Sequence, residues 1–279
     1  MPLDSTPATP LDLICARYGV TNPPAIAADA PWNAVLDCLL GHASVRAYLP
    51  DALPAGALEA GIAAAQSAAT SSNLQVWSVV AVEDAEKKAK FFEWTGGQQY
   101  IGDCPTFLVW TADLARLRHC ADRAGAPSEG LDYLEMLLVG VIDAALAAQN
   151  AAVAFEAMGL GIVYIGGIRN HVDKVAAELN LPPLVTPVFG MCVGKPAKSA
   201  AVKPRLPQAA VLHREQYKLE AQDAEIDAYD STMQAFYTSQ GMKAHKWTPH
   251  SIKRIADAAA LTGRDVLAEK LREFGFKMK

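Results

Sequence analysis

The sequence predicts a fold that mixes helices with short buried strands. Three observations carry that reading. Leu134, Leu137, Leu138, Val141, Ala145 and Leu146 recur at helical spacing and mark a long central helix, about Leu131 to Met158. Residues 76–82, 106–110, 162–165 and 187–193 are apolar runs with the β-branched or aromatic composition of buried strands. After Pro207 the composition turns polar and helical.

Taken in order, residues 1–30 are rich in Pro, Ala and Thr and read as an N-terminal extension with a short periodic piece at Leu11 to Tyr18. A helix follows over 31–40, with Pro31 near its first turn and Gly41 ending it. Residues 55–68 form an alanine-rich helix that packs closely through its small side chains. Asp84 sits where an N-cap or first-turn acid belongs, ahead of an amphipathic helix to Trp94. Residues 114–130, with Arg116, Arg118, His119 and Arg123, read as a helix end plus an exposed loop. Gly159 and Gly161 stop the central helix, and another helix covers 170–179. Tyr229, Met233 and Phe236 recur at helical spacing in the tail, and Leu267, Leu271 and Phe274 form a last apolar stripe ended by Gly275. The division by composition is an extension (1–30), a core (31–207) and a helical arm (208–279) that packs on the core or on a partner subunit.

The bulk composition excludes several classes. The chain has 279 residues, 51% of them hydrophobic, and a net charge of −5, so it lacks the general basic footprint of a nucleic-acid binder. Its five cysteines show no C-x-x-C spacing, which predicts reduced thiols, no metal site and a cytoplasmic setting. The first residues lack the basic and apolar regions of a signal peptide. The longest apolar stretch, Met136 to Ala148, is interrupted by Asp143 and falls short of the roughly 20 residues of a membrane span.

Two nucleotide motifs fail. Gly159 and Gly161 begin a G-x-G-x-x-G match, but Tyr164 takes the third glycine's place and the helix precedes the strand. Residues 190–195 (GMCVGK) are one residue short of a phosphate loop, and Pro196 follows. Five other segments put cations, amides or hydroxyls beside glycines or helix ends. His42, Ser44 and Arg46 either hold an anion or decorate a surface turn. Thr70, Ser71, Ser72, Asn73 and Gln75 either line a polar ligand or cap a helix end. Thr95 to Gln99 carries a Gly-Gly pair followed by amides. Tyr164, Ile165, Gly166 and Gly167 lead into Arg169, and the two glycines either admit a flat group or only turn a corner. Pro204 fixes the backbone between Lys203 and Arg205. A phosphate joined to a flat heteroaromatic ring would use such a set.

These segments also carry a resemblance. GHASVR (41–46), TSSNLQ (70–75), TGGQ (95–98), the helix from Val141 through Ala151, GLGIVYIGGIRN (159–170), FGMCVGKP (189–196) and KPRLP (203–207) resemble, in this order, the nitroreductase family. The similarity is closest to its oxygen-insensitive NADPH nitroreductases and NADPH–flavin oxidoreductases and spans about Ala34 to the C-terminus. It implies an α+β fold with a mixed, mainly antiparallel sheet flanked by helices. It also implies an intertwined homodimer with FMN at the subunit interface. By position, His42, Ser44, Arg46, Lys203 and Arg205 hold the phosphate and ribityl end, and Ser71, Ser72 or Thr70 lie near the ribityl chain or ring. Gln98 bonds the pyrimidine edge, and Tyr164 to Gly167 run along the isoalloxazine. Glu135 falls on the substrate side. The implied activity is a ping-pong transfer from NADPH or NADH to FMN and on to nitroaromatics, quinones or free flavin, with flavin N5 rather than a side chain as the reacting centre.

Two departures stand out. Ala43 replaces a basic residue common in relatives. The loop that grips the NADPH 2′-phosphate there carries arginine, whereas here it reads SQGMKAHKW, leaving Lys243 and Lys246 as point charges. NADH is therefore as open as NADPH. The alternative functions are a flavin-binding protein without nicotinamide turnover and a flavin-free dehydrogenase.

Overall fold

The computed structural model describes residues 9–21 and 31–279. The rest of the expected N-terminal extension, 1–8 and 22–30, lies outside the described residues. In chain order the regular elements are α1 (Pro10–Tyr18), α2 (Ala34–Gly41), α3 (Ala57–Gln66), β1 (Trp77–Val82), α4 (Ala85–Trp94), α5 (Tyr100–Asp103), β2 (Thr106–Asp113), α6 (Ala115–Ala124), α7 (Leu134–Ala157), β3 (Gly161–Ile165), α8 (Val172–Glu178), β4 (Val185–Gly194), α9 (Asp223–Ser239), α10 (Trp247–Arg254) and α11 (Leu267–Glu273).

Contacts group these elements into two compact units. One holds the described part of Met1–Ala43 with Ala200–Ala260; the other holds Ser44–Ser199 with Leu261–Lys279. The second unit contains a four-stranded sheet in the order β1-β2-β4-β3. All three strand pairings are antiparallel, as expected of a mainly antiparallel sheet. Every residue of β2 is buried, which the continuous apolarity of Phe107 to Trp110 predicts for an inner strand.

Helix α7 is the axis of this unit. Its buried residues include Leu137, Gly140, Ala144, Ala147, Ala148, Ala151 and Phe155, recurring at three- and four-residue steps. Most are small, so the helix backbone lies close to its neighbours. Ala57, Gly61 and Ala65 form the buried face of α3, and a Cβ on Gly61 would meet the Phe155 ring at 2.3 Å. The opposite face of α7 carries Leu134, Leu138, Ile142 and Leu146 at four-residue steps, all exposed. The helix has 24 residues, longer than the apolar stretch that marks it, because it continues through Gln149 and Asn150. It is thus long and apolar enough to cross a membrane, a test that the core helix of a globular protein also passes; half of its most apolar window is buried within the fold.

Several local expectations are met and others need correction. Asp84 caps α4 by accepting from the Lys87 N–H at 2.8 Å. Gly159 ends α7 with a left-handed backbone at φ 76°, whereas Gly161 already belongs to β3. Pro31 lies ahead of α2, which begins after Asn33, whose side chain caps it through the N–H groups of Val35 and Leu36. Residues 115–124 form a complete helix instead of a helix end. It buries no residue, so it lacked the wide apolar stripe by which such helices are recognised.

The last residues of the chain close over the N-terminal end of α7. The Leu134 N–H donates to the Lys279 carbonyl at 3.2 Å, and the Lys279 N–H to the Asp132 carbonyl at 3.0 Å. Buried Asp132 also pairs with Lys277 at 2.9 Å, Lys279 at 3.1 Å and Arg118 at 3.4 Å. The hydrogen bonds from Lys277 and Lys279 hold its carboxyl below the ordinary carboxylate value of about 3.9. A lowered folded-state value means stability that is fully present above about pH 4 and lost as pH falls through the folded value. Asp132→Asn should therefore lower the melting temperature at pH 7 and flatten its decline below pH 4. An unchanged acid limb in thermal melts would count against the clamp.

Candidate functional site

Within the sheet-bearing unit the structure joins two of the glycine-bearing segments. Gly96 and Gly97 turn the chain after α4 with φ 85° and 79°, conformations that side chains disfavour. The turn delivers Gln98, whose Nε2 donates to the Thr95 carbonyl at 2.8 Å. Gly167 packs on that same spot: a Cβ there would meet Gln98 Nε2 at 2.7 Å and the Thr95 carbonyl oxygen at 2.9 Å. Gly166, beside it, has its nearest neighbour, Arg169 Nη2, 3.7 Å from where a Cβ would stand. The Gly-Gly pair opens a tight turn, Gly166–Arg169, and the group that closely approaches Gly167 is the chain's own TGGQ turn.

Tyr100 extends the arrangement. Its hydroxyl donates to Gln98 Oε1. Burial raises its pKa, opposed by the nearby charge of Arg46. Tyr100 therefore bonds the amide of TGGQ and lies near the guanidinium of GHASVR. Arg46 is exposed and also reaches the Ser44 carbonyl at 3.4 Å. No local pattern flags Tyr100; its proximity to Gln98 in sequence was the one available hint.

The TSSNLQ segment is held from below by an acid. Asp143, 2% exposed on α7, accepts from Thr70 Oγ1 at 2.6 Å, the Val76 N–H at 3.1 Å and the Ser71 N–H at 3.4 Å. Thr70 Oγ1 in turn accepts from the Gln75 N–H at 3.0 Å. Between these anchors Ser72, Asn73 and Gln75 all take positive φ, 49°, 56° and 51°. Each left-handed non-glycine residue is disfavoured by roughly 1–2 kcal/mol, so the anchors hold a strained turn in place. Thr70 faces inward, whereas Ser71 and Ser72 are exposed.

Tyr164 links β3 to α7. Its hydroxyl lies 3.4 Å from Gln149 Oε1, and its ring meets Phe189 edge-on at 5.3 Å. Burial raises its pKa, so the phenol stays protonated. Ile165 is buried, with β3 paired to β4 there. Arg169 donates to the Val188 carbonyl, and burial together with Arg264 lowers its pKa. Its charge thus braces the sheet. Glu135 is exposed in the first turn of α7.

The other unit brings together the remaining motif residues. Lys203 and Arg205 are exposed on either side of buried Pro204. Lys203 Nζ lies 3.2 Å from the Tyr237 hydroxyl and 5.2 Å from the centre of its ring, and His245 stacks on Tyr237 at 3.9 Å. Lys243 and Lys246 are exposed in the loop that carries His245. His42 is half-buried at the end of α2. Arg17 of α1, 8% exposed, donates to the carbonyls of Leu40 and His42, both at 2.7 Å, and of Lys203 at 3.1 Å. Sequence reasoning missed Arg17, because α1 lies in the extension that carries no motif.

With this geometry in hand, comparison places the chain. Residues 39–195 match the Nitroreductase family, and residues 203–279 match the C-terminal domain of that family. The chain belongs to the nitroreductase family. It is 38% identical to an FMN reductase (NADPH) of Bacillus subtilis over 249 residues, covering 88% of this chain and 98% of that one. A solved nitroreductase from B. subtilis superposes with a TM-score of 0.83 at 36% identity, covering 88% of this chain and all of that one. The NADPH:FMN oxidoreductase of Vibrio harveyi, solved in complex with NAD+, gives 0.78 at 33% identity, covering 88% and 100%. The nitroreductase fold and the α+β class read from the sequence are thus established.

The strained loop supplies a direct test. Asn at position 143 preserves size but presents an N–H₂ to at least one of the three donors. Asp143→Asn should destabilise the protein by about 1.5–3 kcal/mol. It should also speed hydrogen exchange at the Val76 amide, measured by mass spectrometry on peptides spanning 70–80. Wild-type exchange there would show that Asp143 does not anchor the turn. Gly167→Ala should likewise cost roughly 1–3 kcal/mol by forcing the TGGQ turn aside, read as a lowered melting temperature.

Proposed function

We propose that this protein is an FMN-dependent NAD(P)H oxidoreductase that reduces nitroaromatics, quinones or free flavin. The observation that carries the reading is the meeting of Gln98, Gly167 and Arg46 in one unit with Tyr100 beside them, the first three on motif segments that the family resemblance assigns to one cofactor. The donor set fits FMN. The Gln98 amide uses one N–H on Thr95 and one lone pair on Tyr100. One donor and one acceptor remain, the complement of a pyrimidine edge. Gly166 carries no side chain over the ring path, and the exposed hydroxyls of Ser71 and Ser72 are free to meet a ribityl chain or ring. The Arg46 fork suits phosphate oxygens. His42, Ser44, Lys203 and Arg205 are assigned to the phosphate end by sequence position. Bound FMN supplies the redox chemistry, accepting hydride from the nicotinamide and passing electrons to the acceptor. The chain orients it and holds its charge. The names of the relatives, an FMN reductase (NADPH) and an NADPH:FMN oxidoreductase, support the same assignment.

The acting form is a homodimer in this reading. Leu134, Leu138, Ile142 and Leu146 are 44%, 48%, 56% and 43% exposed, large apolar side chains on the outer face of the central helix. Such a contiguous stripe calls for a covering partner, and a second copy supplies an identical stripe. The cysteine pattern, five residues without C-x-x-C spacing, supports a reducing, cytoplasmic setting. Lys243 and Lys246 offer point charges to a nicotinamide nucleotide, which leaves both NADPH and NADH as donors.

Two measurements test this. The purified protein should bind FMN, and anaerobic NADPH or NADH should bleach its visible absorbance; flavin that stays oxidised with both donors refutes the oxidoreductase reading. Ile142→Arg should convert the dimer to a monomer in sedimentation equilibrium, and a wild-type monomer would remove the stripe's proposed role.

A further inference from the structure

We infer that Arg17, in the N-terminal helix, is a positioning residue for the phosphate end of the cofactor. The inference rests on the FMN reading and deepens it. Three residues assigned to the phosphate, His42, Lys203 and Arg205, lie on two segments some 160 residues apart in sequence. Arg17 bonds the backbone of all three. Its Nη2 donates to the carbonyls of Leu40 and His42 at 2.7 Å, and its Nη1 to the carbonyl of Lys203 at 3.1 Å. Its own carbonyl accepts from the Arg205 N–H at 2.9 Å. The guanidinium is buried, and a buried cation in this position is stable because carbonyl oxygens surround its fork.

The helix that carries Arg17 is built to sit there. Thr9 and Asp12 form a reciprocal capping box at its start. Gly19 ends it with φ 64°, and a Cβ there would lie 2.6 Å from Thr232 Cγ2 and 2.9 Å from Pro204 Cγ. The helix C-terminus is thus pressed directly on the proline between the two cations. The Tyr229 hydroxyl donates to the Pro204 carbonyl at 2.9 Å from another side. Arg205 Nη1 also reaches the Lys203 carbonyl, at 3.1 Å, so the oxygen that Arg17 holds is shared with a proposed phosphate ligand.

The fork geometry matters because three carbonyls diverge around it. A lysine keeps the charge but offers no planar fork to span them. Arg17→Met removes charge and fork together. If Arg17 aligns the phosphate-binding backbone, its loss should weaken FMN much more than riboflavin, which has the same ring and ribityl chain without the phosphate. A general loss of fold would weaken both equally.

The test is to measure FMN and riboflavin affinity by flavin fluorescence on full-length wild type, Arg17→Met, Arg17→Lys and Gly19→Ala. Arg17→Met should raise the FMN dissociation constant about tenfold or more, as expected for loss of charge-assisted hydrogen bonds. Riboflavin affinity should stay within about twofold, and kcat at saturating FMN should match wild type, since the ring end is untouched. Arg17→Lys should resemble Arg17→Met, and Gly19→Ala should shift in the same direction by displacing the helix. Should Arg17→Met fail to fold, the Gly19→Ala ratio decides alone. An unchanged FMN-to-riboflavin ratio overturns the role of Arg17, as does an equal loss of both ligands. The Arg46→Ala control separates this from the wider reading. If that variant loses FMN while Arg17→Met does not, only Arg17 is dismissed; if wild type takes up no flavin, both readings fall.

Discussion

A 24-residue helix that is apolar on nearly every face has to be covered on every face. That requirement organises the sheet-bearing unit. The sheet packs on α7, with Gly140 against Ala112 of β2, and α3 packs on it with Gly61 against Phe155. Small residues are placed where backbones must approach, and large ones are left on the outer face. The distribution is the reverse of a helix meant to face water, and this reversal is the ground for the proposed cover by a second copy.

The same helix carries the polar anchors that shape the candidate site. Asp143 staples the strained turn of Ser72, Asn73 and Gln75, and Gln149 meets the hydroxyl of Tyr164. Six residues separate the two anchors, about 9 Å along the axis. An acid on a buried helix face is unfavourable unless its oxygens are filled, and here a hydroxyl and two backbone N–H groups fill them. One rigid element thus sets both the loop that presents Ser71 and Ser72 and the strand that leads into Gly166. Geometry fixed from a helix core is tighter than geometry left to loops alone.

The strands were legible because each is short and strongly apolar, and β2 and β4 appear where the runs at 106–110 and 187–193 put them. The central helix was legible from its period, and Asp84 from its place before an amphipathic run. The motif residues were legible only as types. Nothing local told close approach from a corner at Gly167, because the group that fills its missing Cβ is Gln98, about 70 residues away in sequence. The partners of Asp143 and of Arg17 were opaque for the same reason. The partners of Asp143 lie 67 to 73 positions away, and one partner of Arg17 lies 186 away. A period or a cap is written in neighbouring residues, whereas a staple between distant segments is not. Helix α6 was underestimated for the opposite reason: it is local, but it fully buries no residue and packs on the core only through Ala115 and Leu117.

The protonation states around the site favour a scaffold over an acid–base catalyst. Burial pushes the phenols of Tyr48, Tyr100 and Tyr164 above their ordinary value, so all three stay neutral near pH 7. Gln98, Ser71 and Ser72 do not titrate in that range. A general acid or base needs a pKa close to the working pH, and none of these side chains is tuned that way. What the chain offers is a fixed pattern of donors, acceptors and charge around a bare stretch of backbone at Gly166. Such a pattern can hold a cofactor and bias its electron affinity, and none of these side chains can accept a hydride, so in the proposed reading the redox step belongs to the bound ring.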